Sequence, residues 1–245
     1  MKLGLWRIFL LAAWLLAIGG CASPLQRVEQ RDARDPLEPV NRGIYAINEV
    51  ADTAVIRPVA QAYADVLPQP VRTGVGNMLG NLAEVWTFTN SVLQLKGQAS
   101  AETFMRVHIN TFFGLGGWFD VAGEMGLQRR KEDFGQTLGH WGVPPGPYLV
   151  LPILGPSTVR DALALPVDFG GDVSQQVTDI AARNTLRMLR ITDLRASLLK
   201  TTDALKQASL DPYSFVRDAY LQKRQNDVYD GNPPQDFDYS DPDKP

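Results

Sequence analysis

Val40, Ile44, Ile47, Ala51 and Val55 recur every three or four positions, while Asn41, Arg42, Asn48, Glu49 and Asp52 take the other faces. That period predicts an amphipathic helix. It is entered through Asp35-Pro36-Leu37-Glu38-Pro39, where an acidic residue before proline offers a cap and Pro39 a pre-set first helical dihedral. Arg57-Pro58 predicts an interruption, because proline lacks a donor and pushes its predecessor out of helical geometry. Val59, Ala62, Tyr63, Val66 and Leu67 predict a second, short helix, ended by Pro68-Gln69-Pro70. A third stripe follows in Val71, Val75, Met78, Leu79 and Leu82, with Gly74, Gly76 and Gly80 as places for close packing.

Two uncharged runs come next, residues 85–95 and 107–119. Their lengths fit buried core helices and equally fit re-entrant or interfacial segments. Phe104, Met105, Ile109, Phe112 and Phe113 cover a wide arc and lead into Gly114, Leu115, Gly116, Gly117, Trp118, Phe119, Asp120 and Val121. A glycine-hinged apolar loop or hairpin is predicted there, with Trp118 suited to a membrane interface or a protein core. Residues 127–133 form a charged surface segment. Residues 134–159 contain no Lys, Arg, Asp or Glu, yet Pro144, Pro145, Pro147, Pro152 and Pro156 forbid a continuous helix. The prediction is a helical turn over 133–140, an extended segment over 148–154, and a helix capped by Ser157 running to Leu165. Helical pattern returns over 173–224, punctuated by Thr192-Asp193 and Asp211-Pro212 as caps. Arg183, Arg187 and Arg190 there read as a solvated face or as a stripe touching lipid phosphates or an acidic partner.

The N-terminus changes the picture. Lys2 and Arg7 precede an apolar run over 8–18 that is too short to span a bilayer, the pattern of a signal peptide. Ile18-Gly19-Gly20-Cys21 is similar to a bacterial lipobox, which implies that Cys21 is lipidated and that residues 1–20 are removed. Ala22, in place of the Asp of inner-membrane lipoproteins, implies sorting to the outer membrane. Cys21 is the single cysteine of 245 residues, so no internal disulfide forms. No run of twenty apolar residues follows it, and no single helix spans. From residue 226 the chain carries six Asp and one Lys, an acidic tail, and the rest is near neutral, which excludes steering to nucleic acid. The expected organisation is a signal peptide (1–20), a lipidated tether (21–34), one helical membrane-embedded domain (35–225) and a disordered tail (226–245).

Catalytic chemistry has little to stand on. His108 and His140 lack a cysteine or carboxylate at metal-ligand spacing. No Gly-x-Ser-x-Gly elbow occurs, and Gly114-Leu115-Gly116-Gly117 lacks dinucleotide spacing. Asp133-Phe134-Gly135 matches a kinase metal-loop tripeptide without its companion motifs. The expectation is no enzyme, no metal and no cofactor. The alternatives are a periplasm-facing scaffold lipoprotein with a soluble helical bundle and, more remotely, a cell-envelope hydrolase.

Longer blocks are more specific. Asp35-Pro36-Leu37-Glu38-Pro39-Val40-Asn41-Arg42, Arg57-Pro58-Val59-Ala60, Pro68-Gln69-Pro70-Val71-Arg72, residues 114–123, residues 134–142, Gly146-Pro147-Tyr148, Leu151-Pro152, Arg160-Asp161 and Asp211-Pro212-Tyr213 resemble, in order, the VacJ/MlaA family of outer-membrane lipoproteins. The resemblance implies a mainly α fold, a ring of amphipathic helices around a central channel, set in the inner part of the outer membrane beside trimeric porins. It implies removal of phospholipids misplaced in the outer leaflet and their transfer to a periplasmic lipid carrier. The loop of Gly114, Leu115, Gly116, Gly117, Trp118, Phe119 and Val121 would border the channel. Asn48 would be the gating candidate of the early helix, although Ile47 and Glu49 beside it depart from the family's aromatic pattern.

Overall fold

The structure, a computed structural model, describes residues 32–234. The predicted signal peptide, Cys21, most of the predicted tether and residues 235–245 of the predicted tail lie outside the described residues. The fold is mainly α, with one small antiparallel hairpin.

Helix α1 (Glu38–Ala51) passes through a π-helical turn (Asp52–Ile56) directly into α2 (Arg57–Val66). The predicted break at Arg57-Pro58 therefore does not occur. Arg57 N–H donates to the Asp52 carbonyl five residues back, and the widened turn gives the Pro58 ring room that a regular helix denies it. Asp35 does not cap α1 either: its side chain accepts from Asn41 and Tyr213 instead.

Helix α3 (Gln69–Leu93) joins the predicted third stripe and the first uncharged run into one rod. Its glycines serve neighbours: a Cβ on Gly74 would sit 2.2 Å from the Trp118 ring. A short turn with Leu95 at φ 57° leads to α4 (Gly97–Phe112), and the two form an αα-hairpin. After α5 (Val121–Glu124), α6 (Phe134–His140) starts at Asp133, whose side chain accepts from Gln136 N–H. Capping accounts for the Asp133-Phe134-Gly135 tripeptide.

Strands β1 (Tyr148–Leu151) and β2 (Gly155–Thr158) pair antiparallel, Tyr148 opposite Thr158, where a single extended run to residue 154 was predicted. Thr158, not Ser157, caps α7 (Val159–Gly171), which runs through Pro166. The segment beyond that proline is held from outside: Asp168 accepts from Trp86 Nε1 at 2.8 Å and from Phe134 N–H at 2.7 Å, and Gly171 lies flat on the Trp86 ring. A 3-10 turn (Val173–Gln176) precedes α8 (Ile180–Ala208), which Thr192-Asp193 does not interrupt because Asp193 accepts from the Tyr63 hydroxyl of α2 at 2.9 Å. Asp211 caps α9 (Pro212–Val228) as predicted, but the helix extends past residue 225. At the other end, Asp32 and Arg34 reach α9 through Arg217 and Asp218, so the folded body begins before residue 35.

The apolar interior is small. Tyr148, Val150 and Tyr213 form its cluster, joined by Ile44, Tyr45, Tyr220 and Leu221. Asn41 ties α1 to it, donating to the Tyr148 carbonyl at 3.1 Å and accepting from Val150 N–H at 2.9 Å. Asn48, two turns on, repeats the clamp at the hairpin's tip: it donates to the Leu151 carbonyl and accepts from Ile153 N–H at 2.7 Å. Asn48→Ala is expected to weaken this tip by about 1 kcal/mol per lost bond. Faster amide exchange at Ile153, with α3 unchanged, is the reading; unaltered exchange would show that the clamp is dispensable.

Candidate functional site

Burial in this chain runs opposite to the usual order. On α4 the buried positions are Ala99, Thr103, Arg106 and Asn110, a polar stripe at helical spacing. Phe104, Met105, Phe112 and Phe113 of the same helix are exposed. On α3 the buried set includes Asn81, Glu84, Thr87, Asn90 and Ser91. Among the described residues, Arg106 is 1% exposed while Phe112, Phe113 and Leu115 are each 74–75% exposed. Burial of apolar surface is the dominant drive to fold in water, and a chain folding there hides such residues first.

Arg106 organises the interior. Its Nε and Nη2 grip both oxygens of Glu84 at 3.0–3.2 Å, Nη2 also reaches Asp120 at 2.9 Å, and Nη1 donates to the Leu127 carbonyl at 2.6 Å. Arg129 adds a second cation to Glu84 at 2.8 Å. Asn110 donates to Asp120 and accepts from Ala122 N–H, both at 2.9 Å. Burial pushes the Asp120 carboxyl up, but Asn110, the Gly123 N–H, Arg106 and Arg129 together hold it below the usual carboxylate range.

The predicted glycine loop hangs from this network. Gly116 N–H donates to the Thr111 carbonyl, Gly117 N–H to Asn110 and Phe119 N–H to Gly114, at 2.8–3.0 Å. Gly116 and Gly117 hold φ of 72° and 93°, and Leu115 one of 51°. Gly114 and Gly117 are buried, and Trp118 rests on Gly74. Leu115 and Phe119 point outward, and Val121 opens α5. The loop is thus fastened at its base, with an apolar tip. Asn48 belongs to a different neighbourhood, the α1–β hairpin contact described above.

A second ionic cluster joins α6, α7 and α9. Arg224 donates to both oxygens of Asp133 at 2.6 Å and to both of Asp161 at 2.9 and 3.0 Å, while Arg160 and the Tyr220 hydroxyl also bind Asp161. Burial raises the Asp161 carboxyl, but the charge and hydrogen bonds of Arg224 and Arg160 more than reverse this, and its pKa is lowered. A lowered folded-state pKa contributes stability above the unfolded value of about 3.9, lost as pH falls through the folded one. Asp161→Asn is therefore expected to cost stability at pH 7 and progressively less below about pH 4. Thermal unfolding of both proteins across pH 3–7 checks this; a constant gap would contradict it.

His108 lies on the exposed face of α4, Nδ1 donating to the Phe104 carbonyl at 2.8 Å, with its ring between those of Phe104 and Phe112. His140 ends α6, exposed and distant in sequence from it. Arg190 pairs with Asp172 and Arg187 with Gln175, so these members of the basic stripe close onto the segment before α8. Sequence reasoning passed over Arg106, Glu84, Asn41 and Arg224. One signal was present: Glu84 and Arg106 flank the two uncharged runs, and a helical hairpin brings such flanks level.

The family model of the MlaA lipoprotein matches residues 33–227. The intermembrane phospholipid transport system lipoprotein MlaA of Shigella flexneri is 39% identical over 227 residues, covering 89% of this chain and 86% of its own, and that of Escherichia coli K12 agrees equally. The Haemophilus influenzae protein of the same name is 32% identical over 230 residues, 88% of each chain. A solved chain from work on the structural basis for maintenance of bacterial outer membrane lipid asymmetry superposes with a TM-score of 0.66 at 35% identity, covering 81% of this chain and 99% of that one. Sequence blocks, helical architecture and these likenesses agree, and the chain belongs to the MlaA lipoprotein family.

Proposed function

We propose that this protein removes phospholipids misplaced in the outer leaflet of the outer membrane and passes them to a periplasmic lipid carrier. The observation that carries the reading is the inverted burial: phenylalanine, leucine and valine outside, arginine, asparagine and glutamate inside. Acyl chains are the solvent in which that distribution is favourable. A lipid changing leaflet needs an apolar path for its chains, about 0.8 kcal/mol for each buried methylene, and a polar path for its head group. The exterior supplies the first. The second is assigned to the polar interior, where side-chain oxygens of Asn81, Ser91, Thr103 and Gln136 have no hydrogen-bond partner among the described residues.

In this reading the helices form a ring around a channel beside a trimeric porin. The loop of Gly114, Leu115, Gly116, Gly117, Trp118, Phe119 and Val121 borders the passage, and lipid on Cys21 anchors the protein to the outer membrane. No helix among the described residues is long and apolar enough to cross a membrane. The relatives named above are phospholipid transport lipoproteins, and transfer without bond breaking needs no catalytic group. Deleting the protein in its native host is expected to raise outer-leaflet phospholipid, with restoration by the natural chain and not by Cys21→Ser. An unchanged outer leaflet after deletion would overturn the reading.

A further inference from the structure

An open cavity of about 430 Å³ lies between α1, the end of α8 and the start of α9, lined by Arg42, Tyr45, Glu49, Lys206, Asp211, Pro212 and Tyr213. Two ion pairs stand on its wall, and they differ. Arg42 donates to both oxygens of Asp211 at 3.1 and 2.7 Å, to Glu38 at 2.7 Å and to Ser214, and its guanidinium lies 4.3 Å from the Tyr213 ring centre. Asp211 in turn accepts from Tyr213 N–H and the Ser214 hydroxyl. That pair is fully engaged in fastening α1 to α9.

Lys206 and Glu49 make a single contact, Nζ to Oε2 at 2.5 Å. Two ammonium donors and Oε1 of the carboxylate have no hydrogen-bond partner among the described residues, and the side chains are 34% and 36% exposed. A pair of that exposure is weak and opens at little cost. Beside it stands the partly exposed ring of Tyr45, held edge to face at 5.7 Å against the buried ring of Tyr213. Aromatic faces attract an ammonium group. A simple anion here would meet Glu49 and Asp211, and a simple cation would meet Lys206 and Arg42. A molecule carrying both charges a few bonds apart satisfies each side.

We propose that this cavity binds the phosphate and primary ammonium of an ethanolamine phosphodiester, the phosphate on Lys206 and the ammonium on Glu49 beside Tyr45. The lipid-borne form of that group follows if the transport reading holds; the soluble form is glycerophosphoethanolamine. The cavity is of a size that takes a head group and leaves acyl chains outside.

The test uses the full lipidated chain in detergent, with phosphatidylethanolamine, phosphatidylglycerol and glycerophosphoethanolamine as probes in native mass spectrometry. The natural protein is expected to prefer phosphatidylethanolamine. Glu49→Gln should lose that preference by roughly tenfold, the scale of one charge-assisted hydrogen bond, whereas Lys206→Met should weaken both lipids and Lys206→Arg should retain binding. A photoactivatable ethanolamine lipid on the unaltered protein should crosslink at Tyr45 or Glu49. Crosslinks confined elsewhere, or variants that bind as the natural chain does, would overturn the proposal. Binding of the soluble ester with no binding of the lipid would remove the cavity from transport. Selective binding in a protein whose deletion leaves the outer leaflet unchanged would sink the transport reading and keep the site. Unselective binding in a protein whose deletion raises outer-leaflet phospholipid would sink the site alone.

Discussion

Arg106→Leu is expected to cost about 3–5 kcal/mol, enough to unfold the protein or leave its α3–α4 hairpin open. Leucine matches the helix and fills much of the space, so the loss is not one of propensity or volume. It arises because Glu84, 3% exposed in its side chain, keeps its charge with Arg129 alone, while Asp120 and the Leu127 carbonyl lose a donor. A buried charge stripped of its partner costs more than the pair contributed, so removing both charges should be milder than removing one. Glu84→Leu combined with Arg106→Leu is therefore expected to recover part of the loss. Thermal unfolding of the three variants in one detergent decides it. A single variant that melts with the natural protein, or a double variant worse than the sum of its parts, would show that the network does not hold the interior together.

Gly117→Ala ranks second, at about 2–5 kcal/mol. Its φ of 93° lies where an L side chain is strained by about 1–2 kcal/mol, and the new Cβ would stand 2.6 Å from Asn81 Cβ, an overlap that adds about 1–3 kcal/mol. Gly116→Ala carries the first cost without the second, since nothing lies within 4 Å of its Cβ. The adjacent pair thus separates strain from crowding. Gly117→Ala should lower the melting temperature and phospholipid clearance together, and Gly116→Ala should do so less. Equal effects would mean that backbone freedom, as in a hinge, matters more than the fit against α3.

Helical content, the Asp211 cap and the place of the glycine loop were legible in the sequence because each depends on neighbours in the chain. The continuity of the helices through Pro166 and Thr192-Asp193 was not, because what secures it is distant: Trp86 and Phe134 holding Asp168, Tyr63 holding Asp193. At Pro58 the local rule was met by a π turn, a conformation without a period of its own to detect. The interior was left open for a different reason. Apolar periodicity locates a stripe but not the side on which water lies, so Phe104 and Phe112 fit a buried helix and an interfacial one equally, and only the fold shows Thr103, Arg106 and Asn110 filling the interior. Asn41 and Asn48 fall on the polar faces of their helix in the sequence, which gives no sign that both clamp the β hairpin.

The account rests on those outward apolar residues touching acyl chains. Spin labels at single cysteines replacing Phe113, Leu163 and Lys223, in reconstituted protein free of other thiols, test it most directly; all three positions are exposed, the first two apolar. Labels at 113 and 163 are predicted to relax with oxygen, which concentrates in the bilayer, and to be shielded from a water-soluble nickel chelate, with 223 showing the reverse. Nickel access at 113 and 163 equal to that at 223 would place these residues in water and contradict the account.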